Sequence, residues 1–271
     1  LDLLNPPRLD KQSIKKFFNR AAKSYENAAI LHEEVENRLL ERLQYIRHHP
    51  ETIVDIGCGT GRGVRGLQKA YPRARVFAAD IAFEMLLQAR SRFRLLSKKR
   101  LVTADMERLP LAGQRFDLVF SSLAMPWCND VGATMKEFAR ITRPGGLLMF
   151  SSFGPGTLYE LADSWQMMDS HPHVHQFVDM HDVGDAMLAA GFAQPVVDAE
   201  TIRLEYREFQ PLLDDLRNIG ANNADLGRRR GLMTPAQLRK LETCYRQHGF
   251  EGDKFVASYE VVYGHAWIDA L

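Results

Sequence analysis

A chain of 271 residues, 45% of them hydrophobic, carries enough apolar side chain for one large folded domain, or for one domain with a sizeable insertion. Its 35 Lys and Arg stand against 34 Asp and Glu, a net charge of +1, so the overall charge points to neither nucleic acid nor membrane and any electrostatic docking has to come from local patches. Three scattered cysteines, Cys58, Cys128 and Cys244, lack metal-ligand or redox spacing, no apolar run reaches roughly 18 residues, and the basic, broken start does not read as a signal peptide; the expectation is a soluble cytoplasmic protein.

Residues 1–10, with Asn5-Pro6-Pro7, read as a loose arm. Ile14, Phe17, Phe18, Ala21, Ala22 and Tyr25 then recur at helical spacing, and a second helix over 28–47 turns Leu31, Val35, Leu39, Leu40, Leu43 and Ile46 inward. Thr52-Ile53-Val54-Asp55-Ile56 reads as a buried strand, followed by Gly57, Gly59 and Gly61 at alternate positions and a helix from Val64 to Tyr71. Strands over 75–80, 101–105, 116–122 and 147–152 alternate with helices over 82–97 and 133–141, with a tight turn at Arg143-Pro144-Gly145-Gly146. That alternation predicts a doubly wound, mostly parallel α/β sheet whose ligands bind beyond the carboxyl ends of the strands, where Asp55, Asp80 and Asp105 fall. Helices over 157–168 and 181–190, a strand over 196–206, helices over 209–249 and a strand over 254–267 complete seven strands. The stretch between the last two strands is too long for a connector and reads as a helical lid. The expected division is an N-terminal helical cap (1–48), a core (49–206), a lid (207–253) and the last core strand (254–271).

The dinucleotide pattern G-x-G-x-x-G matches Gly61-Arg62-Gly63-Val64-Arg65-Gly66, but in the wrong place: that fingerprint opens directly off a strand end, and here the strand stops near Asp55. The spacing that abuts the strand is Asp55-x-Gly57-x-Gly59-x-Gly61. Glycine there lets a ligand approach the backbone, and the following helix start offers unpaired N–H groups. His171, His173, His175 and His181 invite a metal site. Alternate histidines of an extended segment point to opposite sides, however, and no carboxylate or cysteine completes the set, so a loop role and no metal are expected.

Over residues 50–153 this arrangement resembles the class I, Rossmann-like S-adenosylmethionine-dependent methyltransferases. The resemblance implies that Asp55, Gly57, Cys58, Gly59 and Gly61 lie against the methionine part of the cofactor, that Asp80, followed by Ile81, holds the ribose diol, that Asp105-Met106 flank the adenine, and that Ser121 borders the same site. Ala82 departs from the family pattern, in which a small hydroxyl residue is common there, and puts one secondary contact in doubt. Outside the cofactor half, Phe17 to Tyr25, Phe153-Gly154-Pro155-Gly156-Thr157-Leu158, His173-Val174-His175, Asp179 to Asp185 and Tyr259 to Trp267 are similar to the malonyl-acyl-carrier-protein O-methyltransferases of biotin synthesis. That likeness implies methylation of the free carboxyl of a malonyl thioester on acyl-carrier protein, or on CoA.

A carboxylate oxygen is already anionic at neutral pH, so its attack on a sulfonium methyl needs no general base; alignment and desolvation supply the acceleration. What such a site needs is a grip on the acceptor. Ser121 and Ser122 after the fourth strand, Tyr25 on the first helix and Arg203 on the sixth strand are the positioning candidates, each weighed against an ordinary capping, packing or surface role. Arg228-Arg229-Arg230 in the lid and Lys15, Lys16 and Arg20 on the first helix are basic clusters suited to an acidic carrier protein. The alternatives left open are a methyltransferase with a small-molecule acceptor, an arginine-modifying assembly factor of a respiratory complex, which shares this frame, and a noncatalytic protein that kept the cofactor fold.

Overall fold

A computed structural model describes residues 9–94, 98–229, 231 and 233–270. Most of the expected arm, the end of the helix expected over 82–97, and Arg230 lie outside the described residues. Asp10 caps the first helix, α1 (Lys11–Ala21), by accepting a hydrogen bond from the Gln12 N–H. Where two helices were expected there are three, because the chain turns at Ala22–Ser24 before a single-turn α2 (Tyr25–Ala28) and again at Ala29 before α3 (Ile30–Arg42).

The core alternates as the sequence predicts: β1 (Thr52–Ile56), α4 (Arg62–Ala70), β2 (Arg75–Asp80), α5 (Phe83–Ala89), β3 (Arg100–Thr103), β4 (Phe116–Ser122), α6 (Val131–Ile141) and β5 (Thr142–Phe153). There follow α7 (Tyr159–Gln166), α8 (Met180–Ala189), β6 (Ala193–Tyr206), α9 (Phe209–Asn218), α10 (Pro235–His248), β7 (Phe250–Glu251) and β8 (Lys254–Trp267). Along the sheet the order is β3-β2-β1-β4-β5-β8-β6, parallel from β3 to β5. β8 inserts between β5 and β6, antiparallel to both. An eighth, two-residue strand, β7, folds back on the start of β8. The expected turn at Arg143–Gly146 is an irregularity within β5, where the register with β4 jumps from Phe116–Thr142 to Leu118–Leu147.

β1 is buried along its whole length, as a central parallel strand covered on both faces must be. Ile53, Leu118, Phe120 and Leu147 lie on the face covered by α3 and α4, with Val35, Leu39, Val64 and Leu67, and Leu212 of α9 and Leu241 of α10 extend the same apolar cluster over β6 and α7. Val54, Ile56, Val119 and Leu148 face α6 and α8, with Met135, Phe138, Val183 and Met187. This alternation is the period-two signature of strands read at the outset. The strand order reverses between β1 and β4, so the crevice beyond their carboxyl ends is the ligand position this topology prescribes.

The first helix and the segment after α9 are tied together over that crevice. Asp10 N–H donates to Ala224 O at 2.8 Å, Leu9 bridges to Asp225, and the Arg228 guanidinium reaches Asp225 O at 2.8 Å and Ser13 Oγ at 3.3 Å.

Candidate active site

Beyond β1 the chain has to turn at once into α4, and two glycines make this possible. Gly57 has φ +72° and its α-hydrogen faces Ala124, where a Cβ would collide. Gly61, the N-cap of α4, has φ +83° and a Cβ there would lie 2.8 Å from Ala89 Cα. The corner is pinned to the end of β2: Ala79 O accepts from Gly57 N–H at 2.8 Å and from Cys58 N–H at 3.1 Å. Asp80 completes the pin, its carboxylate accepting from Gly59 N–H at 2.9 Å and Ala82 N–H at 2.7 Å. Burial nevertheless pushes this carboxyl up to about 6, with the two backbone N–H groups pulling the other way.

A cavity of about 650 Å³ opens here, walled by Ile56, Gly57 and Gly59, by Asp80 and Ile81, by Asp105 and Met106, and by Ser122, Leu123 and Ala124. Helices α1 to α3 roof it with Lys11, Ile14, Phe18, Tyr25 and His32. Lys11 fastens that roof: its Nζ lies 3.1 Å from Asp105 Oδ1 and from Trp127 O, and pairs with Glu107.

The side of this corner nearest Asp55 is rich in negative charge. Asp55 Oδ2 is buried and has no hydrogen-bond partner among the described residues. Burial, with Glu36 and Asp80 nearby, raises the Asp55 carboxyl well above its usual range. Burial pushes Glu36 up to about 7 against the pull of Arg62, whose guanidinium is 3.9 Å from Glu36 and pairs with Glu33. Burial raises all three carboxyl groups despite the backbone N–H groups and the Arg62 charge that oppose it, so the corner favours a ligand that brings positive charge.

A second cavity, about 870 Å³, adjoins the first. It is largely apolar and aromatic, with Leu31, Phe153, Leu158, Phe177 and Tyr259 in its walls and Leu216 and Ile219 contributed at the end of α9. Phe18, His32 and Trp127 line both cavities and form the partition. The second cavity continues through Thr157, His173, Val174, His175 and Phe177 into an open groove between Pro155 and Phe177.

The structure brings Gly57, Gly59, Asp80, Ile81, Asp105, Met106, Tyr25 and Ser122 to the first cavity. Asp55, Cys58 and Gly61 stand behind its wall; the Cys58 thiol is buried and directed at Gly59 O, 3.7 Å away. Ser121 is a correction: its fully buried hydroxyl donates to Ile56 O at 2.8 Å and holds β4 to β1, and it is the next residue, Ser122, that lines the cavity. Arg203 is another. Along β6 it is Leu204 and Tyr206 that face the second cavity, so Arg203 projects from the opposite side of the strand, exposed and paired with Glu251. Of the basic cluster in the lid, Arg228 is spent on the tie to α1, and Arg229 lies 3.9 Å from Asp169. Two of the four histidines meet one carboxylate that the sequence reading had not joined to them: His171 Nδ1 lies 3.4 Å and His173 Nε2 2.8 Å from Asp169 Oδ1, with His173 stacked on Trp165 at 3.6 Å, whereas His175 packs edge-on to Trp127 and His181 bonds Asp179. Of the titratable residues lining the first cavity, Lys11 and His32 are those the sequence reading passed over. Lys11 carried a weak signal, as the first residue after a capping Asp; His32 carried none.

Among the described residues no helix is long and apolar enough to cross a membrane. Residues 54–150 match the family described as a methyltransferase domain. A malonyl-[acyl-carrier protein] O-methyltransferase from Halorhodospira halophila is 44% identical over 260 residues, spanning 96% of this chain and 88% of that protein, and one from Laribacter hongkongensis is 46% identical over 95% and 89%. In fold, the chain is similar to the phospholethanolamine N-methyltransferase 2 of Haemonchus contortus solved with S-adenosylhomocysteine, with a TM-score of 0.56, 17% identity and coverage of 95% of this chain and 60% of that one. A glycine corner with an acid at each strand end, and relatives of this identity along nearly the whole length, place the chain in one family: it belongs to the malonyl-[acyl-carrier protein] O-methyltransferases, which are S-adenosylmethionine-dependent enzymes.

Proposed function

We propose that this protein transfers a methyl group from S-adenosylmethionine to the free carboxylate of a malonyl thioester carried by acyl-carrier protein, giving the malonyl methyl ester used in biotin synthesis. The observation that carries this reading is the pair of abutting cavities, one lined by carboxylates and one apolar, separated only by Phe18, His32 and Trp127. The family relationship supplies the identity of the acceptor.

The residues present suit the cofactor. When bound, S-adenosylmethionine supplies an electrophilic methyl on a sulfonium centre. Its ammonium and sulfonium charges match this acidic corner: Asp55, buried behind the glycine wall, adds negative charge at the methionine end, Asp80 takes the ribose diol on its free lone pairs, and Asp105 and Met106 border the adenine. Gly57 and Gly59 keep the wall flat enough for that approach, and Tyr25 and Lys11 close the roof.

On the acceptor side, the aromatic walls strip water from the malonyl carboxylate. This favours the chemistry, because an anion and a cation react to give two neutral products and charge disappears on the way to the transition state. No residue has to remove a proton. The open groove between Pro155 and Phe177 is the route for the phosphopantetheine arm, and exposed Lys15, Lys16 and Arg20 on α1 meet the acidic carrier protein. The described residues of 1–48 act as a cap and those of 207–253 as a lid over the core.

Labelled methyl donor incubated with malonyl-acyl-carrier protein is expected to give a base-labile methyl ester on the thioester. Absence of that ester, with malonyl-CoA or another small acid methylated instead, overturns the carrier-protein assignment.

A further inference from the structure

His32 sits on the partition between donor and acceptor cavities. Its ring is held edge-to-face by Tyr25, 5.7 Å away, and by Phe153, 6.2 Å away, and its Nδ1 is buried with no hydrogen-bond partner among the described residues. A buried polar atom without a partner is costly, and the ring that carries it lines both cavities, so the bonding capacity of this imidazole is left for a substrate held between them. Phe18, the neighbour on the partition, has no hydrogen-bonding group, and Trp127 has only a donor.

Resting on the carboxyl-methylation reading, we propose that His32 is a positioning residue whose neutral imidazole donates a hydrogen bond to the non-reacting oxygen of the malonyl carboxylate. The other oxygen is thereby aimed at the methyl group across the partition. The new bond joins that oxygen to the methyl carbon, the carbon–sulfur bond breaks with its electron pair on sulfur, and no proton moves. The donor on hand is uncharged, since burial holds the imidazole down to about 4. A neutral donor suits the step. A cation beside the carboxylate stabilises the fully charged ground state more than a transition state in which the charge is fading, and slows the reaction; an uncharged N–H fixes the angle with less of that penalty.

The test compares full-length His32→Leu, His32→Phe and His32→Gln with the parent, using labelled S-adenosylmethionine and malonyl-acyl-carrier protein, with S-adenosylhomocysteine binding followed by calorimetry. The Leu and Phe variants are expected to lose about 10- to 100-fold in kcat/KM, mostly in kcat, with S-adenosylhomocysteine affinity kept; His32→Gln, which retains a neutral N–H, recovers most of the loss. An apolar variant that folds and keeps the parent's kcat, or a Gln variant as impaired as Leu, overturns the proposal. A parent that never methylates the malonyl carboxylate overturns the functional reading and this proposal with it, whereas an active parent with an unimpaired Leu variant overturns this proposal alone.

Discussion

Replacing Asp80 by Asn tests the cofactor site at its most constrained point. The side chain is buried, and its carboxyl is displaced from the usual 3.8 to about 6. A displacement of that size corresponds to about 3 kcal/mol disfavouring the ionised form in the free protein. Because the folded-state value is raised, this cost is present above about pH 6 and is gone below about pH 4. Asn relieves it at pH 8, but its amide turns an NH₂ toward either Gly59 N–H or Ala82 N–H, which costs about 1 to 3 kcal/mol. The two effects largely cancel, so melting of the free protein at pH 8 moves by no more than about 5 °C. Binding has no such compensation. Losing an ionic acceptor for the ribose weakens S-adenosylhomocysteine by about 1.5 to 3 kcal/mol, roughly 10- to 150-fold in Kd by calorimetry. The parent must also lose affinity as pH falls through about 6, by about tenfold between pH 8 and 5 from this group alone. Glu36 contributes to both proteins, and the Asp55 carboxyl falls once the Asp80 charge is gone, so the difference between the two pH curves reports Asp80 together with its coupling to Asp55. Parallel curves, or an unchanged Kd, refute the ribose role.

Three further substitutions separate structure from chemistry. Ser121→Ala removes the buried bond to Ile56 O and is expected to lower stability by about 1 kcal/mol in urea denaturation while leaving S-adenosylhomocysteine affinity within about twofold; a large affinity loss returns Ser121 to the site. Arg203→Gln should leave kcat/KM for the malonyl thioester unchanged, since its side of β6 faces away from both cavities, and a clear drop contradicts that placement. Gly61→Ala combines a left-handed backbone with a Cβ driven against Ala89, so thermal melting should report a loss of at least about 2 kcal/mol.

The fold was legible where the signal is local. A strand buried on both faces, a glycine run and an acid at the strand end are each written in a few consecutive residues, which is why Asp55, Asp80 and Asp105 could be placed at one edge of a sheet whose strand pairing was not yet known. Choices that depend on phase were not. Ser121 and Ser122 are adjacent on β4, and only the pairing of β1 with β4 decides that Ser121 bonds Ile56 O while Ser122 reaches the cavity. Arg203 failed for the same reason, one residue from Leu204 on an alternating strand. His32 was invisible for another. It sits beside Leu31 on the margin of an amphipathic helix, and its importance arises from where α3 crosses the crevice. β7, two residues long, leaves no periodicity to detect.

The placement of β8 bears on biosynthesis. It is the neighbour of both β5 and β6, yet it follows both in the chain, separated from β5 by roughly a hundred residues of intervening chain. While the ribosome is still making α7 to α10, the nascent polypeptide holds a parallel half-sheet ending at β5, with Leu147, Leu148, Met149 and Phe150 along a rim that nothing yet pairs. Such a rim adheres to other unfinished chains. Until Lys254–Trp267 emerges to fill the gap, this rim is where misassembly is expected.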